Sequence, residues 1–333
     1  MTTPAPLLAR KTWSRFPETL AAPTLADECR ALLTQQRAAW PQAGEGYASL
    51  ESARVKRLQC DGYDVFLQFN PKRIVSTGAK VDPGSIRERR CFLCLEHLPD
   101  PQMGILYEER FLILCNPAPI FRQHFTITGI THTPQSLDGQ IGVMLRLARD
   151  LAPGCAVFYN GPRCGASAPD HMHFQASPIN AIPVEIDAAD GRRRRLRMSV
   201  ENVPVSTMER YGREAFVLES GEADTLEHAL TRLIAAMRSA GGSTEEPMMN
   251  VIAGWHEERW QVIVFPRRKH RPAVYFKEGD EKILISPAAV DIGGLIVTPV
   301  QKDFERVDAA TVASIFREVS VTANDVEHIL SLI

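Results

Sequence analysis

Little in this 333-residue sequence points to a membrane or to nucleic acid. No apolar run approaches the roughly 20 residues that a bilayer-spanning helix needs. Neither sign of charge dominates, with 38 Lys+Arg against 40 Asp+Glu, so no global field selects a polyanion or an anionic surface. Aromatic residues make up only 7% of the chain, and none is interleaved with its one dense basic run, Gly191 to Arg197. That run lacks the stacking platform of a single-strand binder and is expected to be a solvated loop. An even cysteine framework is also missing: the seven cysteines have no regular spacing, and no apolar h-region follows Arg10 and Lys11. A reducing, cytoplasmic location is the expectation.

What remains is a chain with 44% hydrophobic residues and 23 prolines, long enough for about two domains or one duplicated domain. Leu25, Cys29, Leu32, Leu33 and Trp40 fall at helical spacing behind a Thr24 cap, so the pattern predicts a helix over 24–40. Alternation around Cys60-Asp61-Gly62-Tyr63 predicts a hairpin over 54–69. The basic, turn-rich stretch 71–90 is expected to be a solvated linker. Short strands are predicted at 105–107, 111–115, 124–128 and 156–160, with a helix over 136–151 among them. Beyond Pro178, Ile182 to Ile186 looks strand-like. The order of elements then repeats in outline: a strand at 216–219, a helix over 224–239, strands at 248–254 and 259–266, two more strands within 283–299, and two terminal helices. Hairpin-length connections flanking single helices predict an α+β fold on an antiparallel sheet.

The chemistry-bearing residues gather at Cys164-Gly165-Ala166-Ser167-Ala168-Pro169-Asp170-His171-Met172-His173-Phe174-Gln175. If 171–176 is extended, His171, His173 and Gln175 share one face, and Met172 and Phe174 the other. The glycine-containing loop ahead of them offers backbone N–H groups to an anion. Separately, Cys91 and Cys94 have the C-x-x-C spacing that brings two thiolates to one cation, with His97, His124, His132, His171 and His173 as candidate further ligands.

The string Asn160-Gly161, Gly165-Ala166-Ser167 and His171-x-His173-x-Gln175 resembles the transferase branch of the histidine-triad superfamily, which includes galactose-1-phosphate uridylyltransferase, diadenosine tetraphosphate phosphorylase and plant GDP-L-galactose phosphorylase. A tighter likeness, over roughly 70–180 and again near 283–305, is to a bacterial family with C-F-L-C, H-F-T-I and N-G-P-x-C-G-A-S-A-P-D-H-x-H-F-Q strings. The resemblance implies a double histidine-triad-like fold. It assigns His173 as a nucleophile that becomes nucleotidylated and Gln175 as a contact to the transferred phosphate. It also implies zinc on Cys91, Cys94, His132 and His171, and substrate contacts from Asn160, Gly165, Ser167 and His124. Ser167 departs from the family pattern, standing four residues before His171 instead of three. Arg73, Lys80 and Arg163 are candidates for neutralising substrate charge.

The sequence therefore leads to these expectations. Residues 1–70 form a helix and hairpin packed on the core, 71–200 a catalytic half, and 201–333 a second, non-catalytic half. The activity expected is nucleotidyl transfer or phosphorolysis on a nucleotide sugar or dinucleoside polyphosphate, with phosphate or a sugar phosphate as acceptor. Gln175 exchanges no proton at neutral pH, which favours an acceptor carrying its own charge over water. A hydrolase and a catalytically silent, zinc-stabilised nucleotide binder are the competing readings. A homodimer is compatible with the chain; a membrane or nucleic-acid partner is not expected.

Overall fold

The computed structural model describes residues 5–14, 23–79 and 81–333; Lys80 lies outside the described residues. After a short helix, Ala5–Lys11, comes the helix Leu25–Ala39, which starts where expected. Thr24 accepts from the Asp27 amide through its side chain, and Asp27 accepts from the Thr24 amide in return. This reciprocal cap satisfies two otherwise unpaired donors. Cys29, Leu32 and Leu33 form its buried face. The predicted hairpin follows as β1 (Arg54–Gln59) and β2 (Asp64–Phe69).

The main sheet has ten strands, all paired antiparallel. Its first five are β3 (Gly104–Tyr107), β4 (Phe111–Cys115), β5 (Phe125–Gly129), β6 (Cys155–Asn160) and β7 (His173–Pro178), with the helix Ile141–Asp150 between β5 and β6. The other five are β8 (Arg194–Val200), β9 (Val203–Met208), β10 (Phe216–Ser220), β11 (Met249–His256) and β12 (Arg259–Pro266), with the helix Ala223–Ala240 between β10 and β11. The spatial order is β3-β4-β5-β7-β6-β11-β12-β10-β9-β8. Each set of five follows one recipe: three strands, a helix, then two strands, the last of which inserts beside the third. The two copies join through β6 and β11, so the sheet is an α+β duplication.

Each face of the sheet carries its own apolar layer. On one side Phe174, Tyr159, Phe125 and Leu230 pack with the helices Leu25–Ala39, Ile141–Asp150, Ala223–Ala240 and Ala323–Ser331. On the other, Phe158, Phe265 and Ile252 meet a small sheet in which β2 pairs in parallel with β13 (Leu295–Thr298), together with the helix Ala309–Val319. The N-terminal hairpin is thus bonded to residues from the far end of the chain. Each fully buried Phe or Leu in these layers contributes about 1.5–3 kcal/mol.

Four local expectations are corrected. Residues 71–77 and 83–88 form short helical turns, and Arg73 is drawn inward, where it donates to the Ala118 carbonyl at 2.6 Å. Ile182 to Ile186 opens the helix Pro183–Ala189, because Pro183 suits a first helical turn and Glu185 accepts from the Ile182 amide at 2.9 Å. Residues 283–287 form no strand; the Leu284 amide is taken by the Asp303 carboxylate at 2.7 Å. The basic run is the edge strand β8 and the turn before it. Arg192, Arg193, Arg194 and Arg197 pair with Asp190, Asp187, Glu219 and Glu327, so most of its charge is already neutralised.

Candidate active site

On the small-sheet side of the main sheet lies a cleft of about 760 Å³, within the size range of small-molecule sites. His173, Gln175, Asn160, Gly165, Ser167 and Phe158 line it from the first repeat, Arg73 from the turn after β2, and Arg271, Ser286 and Ala288 from beyond β12. Period-two alternation in β7 sends His173 and Gln175 to the cleft and Phe174 into the opposite core layer, against Phe111 and Tyr159. The strand begins only at His173, however. His171 sits in a bend before it and turns to a cysteine cluster, so the expected three-residue face is reduced to two residues.

His173 is held at three points. Its Nδ1 lies 2.8 Å from the His171 carbonyl, which can only accept, so the proton is on Nδ1. Nε2 is then an unprotonated nitrogen with no partner among the described residues. Burial lowers the ring's pKa to about 4, keeping it neutral near pH 7. The backbone is fixed by Gln135, whose Oε1 accepts from the His173 amide at 2.8 Å and whose Nε2 donates to the carbonyls of His173 (3.0 Å) and Asn160 (2.9 Å). The β6–β7 ladder runs from Cys155↔Pro178 to Phe158↔Gln175 and stops there. Gln135 thus bridges the two strand ends with its side chain where further ladder bonds would stand.

Gln175 has its orientation set from behind. The Ile120 amide donates to His124 Nδ1 at 3.1 Å, which leaves the His124 proton on Nε2, 2.9 Å from Gln175 Oε1. Burial, and secondarily the nearby Arg73 charge, lowers the His124 pKa to about 3, so this donor arrangement persists across neutral pH. With Oε1 accepting, the Gln175 amide NH₂ is the end left for the cleft. His124 is fully buried and does not line the cleft; the expected substrate contact is a support behind Gln175.

The loop between β6 and β7 leaves several of its amides without an acceptor among the described residues. The Gly161 carbonyl accepts from the amides of Cys164 and Ala166, while those of Gly165, Ser167 and Ala168 have no acceptor among the described residues. Gly165 has φ +118°, and a Cβ there would lie 2.7 Å from that of Ala288, so only glycine fits. Asn160 Oδ1 accepts from Asn250 Nδ2 (3.0 Å) and the Ala289 amide (2.8 Å), tying the loop's start to the second repeat. Arg163 is a correction: it points away from the cleft, donating to the Glu246 carbonyl and pairing with Glu245, both at 2.8 Å.

Beside the cleft, Cys91, Cys94, His132 and His171 bring their donor atoms within 4.8 Å of one another and could hold a metal ion. Nδ1 of His171 stands 3.3 Å from Cys91 Sγ and 3.6 Å from Cys94 Sγ, and Nδ1 of His132 stands 3.1 Å from Cys94 Sγ. Nε2 of His171 donates to the Gly129 carbonyl at 2.8 Å, the kind of outer contact that aims a ligating imidazole. Burial and the adjacent Cys91 push the Cys94 thiol up to about 12, so a thiolate here needs a cation beside it.

Sequence reasoning missed Gln135 and Arg271. Gln135 bonds only to main-chain atoms, which leaves no residue-type pattern to read. Arg271 arrives from 98 positions after His173, brought in by the second repeat.

Two family models match adjoining parts of the chain: DUF4922, a domain of unknown function, over residues 32–178, and the GDPGP1-like C-terminal domain over residues 189–333. No curated protein sequence matches. Among solved structures, the chain is similar to yeast Ap4A phosphorylase Apa2 in complex with AMP, with TM-score 0.56 and 16% identity over 88% of this chain and 98% of that one. The same enzyme in complex with Ap4A gives TM-score 0.54 and 15% identity over 84% of this chain and 96% of that one. No helix among the described residues is long and apolar enough to cross a membrane.

Proposed function

We propose, from the premise that this chain has the fold of the transferase branch of the histidine-triad superfamily, that it moves a nucleotidyl group through a covalent intermediate on His173. The substrate class is a nucleotide sugar or dinucleoside polyphosphate, and the acceptor is phosphate or a sugar phosphate. The observation that carries this reading is the unprotonated His173 Nε2 facing the cleft, with its Nδ1 proton held by the His171 carbonyl.

In the first half-reaction the Nε2 lone pair attacks the α-phosphorus. An N–P bond forms, the bond to the bridging oxygen breaks, and the departing group leaves as a phosphate anion carrying the electron pair. Nδ1 keeps its proton throughout, and the His171 carbonyl stabilises the imidazolium that results. The Gln175 NH₂ and the amides of Gly165 and Ser167 donate to nonbridging oxygens as charge builds on them. In the second half-reaction an acceptor oxygen attacks phosphorus, the N–P bond breaks, and its electron pair returns to Nε2. Gln175 itself takes no proton from water, so an anionic acceptor is favoured over hydrolysis.

The four-residue cluster fits zinc. Across a tetrahedral ion with Zn–S of about 2.3 Å and Zn–N of about 2.0 Å, sulfur and nitrogen stand roughly 3.5 Å apart. The observed separations run from 3.1 to 3.6 Å. Zinc would act as a cross-link, fixing the 91–94 turn and His132 to the residue whose carbonyl orients His173.

The test mixes the protein with α-labelled nucleotide sugars and dinucleoside polyphosphates in the absence of acceptor. Acid-labile label on the protein, discharged by phosphate and not by water, is the expected result. Equal labelling of His173→Ala would overturn the assignment.

A further inference from the structure

Two arginines that line the cleft, Arg73 and Arg271, form no ion pair among the described residues. Arg73 donates through Nη1 to the Ala118 carbonyl, and its buried Nε has no hydrogen-bond partner. Arg271 donates through Nε to Ser286 Oγ at 2.9 Å and through Nη2 to the Ala79 carbonyl at 2.8 Å, and its guanidinium lies 4.3 Å from the Tyr275 ring centroid. Every partner named is neutral, and neither arginine forms an ion pair among the described residues. The other cations on this wall differ: Lys72 faces Glu45, and Arg89 is paired with Asp170. The carboxylate of the cleft, Asp291, has both oxygens occupied by the amides of Ala288 and Val297 at 3.0 Å. Asp291 acts on Arg73 electrostatically but forms no ion pair with it, so two guanidinium groups aimed by carbonyls and an aromatic ring are left able to receive an anion.

We propose that Arg73 and Arg271 form the phosphate subsite of the acceptor, so that the second repeat supplies part of the active centre and the acceptor is a phosphate dianion. This rests on the nucleotidyl-transfer reading. In a ping-pong displacement the departing phosphate and the incoming one lie on the same side of the α-phosphorus, away from His173. One subsite therefore holds both in turn: the phosphate that leaves as its P–O bond breaks, and the phosphate whose oxygen later forms the new one.

The test titrates inorganic phosphate against the full-length protein without nucleotide, following thermal midpoint and phosphorus NMR line width, with chloride matching the ionic strength. Saturable binding is expected in the wild type, weakened roughly ten- to hundredfold in Arg271→Gln and less in Arg271→Lys, as expected for loss of charge-assisted hydrogen bonds. Because the same subsite holds the departing phosphate, covalent labelling should be slower in both variants yet remain on His173, and the KM for phosphate should rise. The proposal is overturned if the wild type shows no binding beyond the chloride control, or if both variants bind phosphate as the wild type does. Because binding is read without turnover, failure here with His173 still labelled leaves nucleotidyl transfer standing. Phosphate binding without label removes the transfer reading alone.

Discussion

The two repeats build the same five-stranded pattern and differ most in how their last two strands are joined. In the second repeat β11 and β12 stay paired to their ends, His256 against Arg259, and Glu257 and Glu258 close the turn with φ of +47° and +60°. That is the left-handed two-residue turn that suits twisted hairpins. In the first repeat β6 and β7 part after Phe158↔Gln175, residues 161–172 fill the gap, and Gln135 takes up the backbone groups left open. Everything proposed for chemistry in the first repeat sits in or against that opening. The sheet is a shared scaffold, and one opened hairpin converts it into a site.

The largest way to break this comparison is to remove the cluster that props the opening. Cys94→Ser and His171→Ala should each lose bound metal and several kcal/mol of stability, since structural metal binding is folding free energy. His173→Ala should keep its metal and melt near the wild type. Metal analysis with calorimetry decides it, and equal metal content in all three variants would remove the division between the two histidines.

Next in size, Gln135→Ala would strand the buried amide and carbonyl of His173. A loss of about 2–4 kcal/mol in denaturant unfolding is expected, together with reduced turnover. Wild-type turnover in a stably folded Gln135→Ala would show that the opened strand ends need no bridge. A smaller effect is expected from His124→Ala, which frees the Gln175 amide to rotate: kcat should fall roughly tenfold with KM nearly unchanged, a cost of about 1.4 kcal/mol. In the double variant with Gln175→Ala the two losses should not add, because one acts through the other. Additive losses would separate them.

The smallest change tests the closed hairpin. Glu257→Asn with Glu258→Gly relieves side chains held at positive φ and should raise stability by about 1 kcal/mol without altering activity. A fall in activity would mean that this turn is part of the site after all.

Much of this was legible in the chain itself. The Thr24 to Asp27 cap, the turn at Gly62 and the helix at 223–240 follow from neighbours within a few positions, where propensity and periodicity act directly. The four-donor cluster was reachable because its spacing resembles that of a known family. Segments whose partners lie elsewhere were misread. Residues 283–287 look extended, yet Asp303 occupies their amide. Arg73 looks solvated, yet a carbonyl 45 positions later draws it inward.

The sequence by itself determined which residues carry reactive atoms: a C-x-x-C pair, an H-x-H-x-Q string and a glycine loop, each defined by residue type and short spacing. Only the tertiary structure decided what those atoms can do. It bent the chain at His171 so that two similar imidazoles face different neighbours, turned Gln175 by means of His124, and brought Arg271 to a cleft begun by the first repeat. The reason is physical: a proton's position, an amide's orientation and an unpaired charge are set by the partners across a contact, and those partners come from strands far apart in the chain.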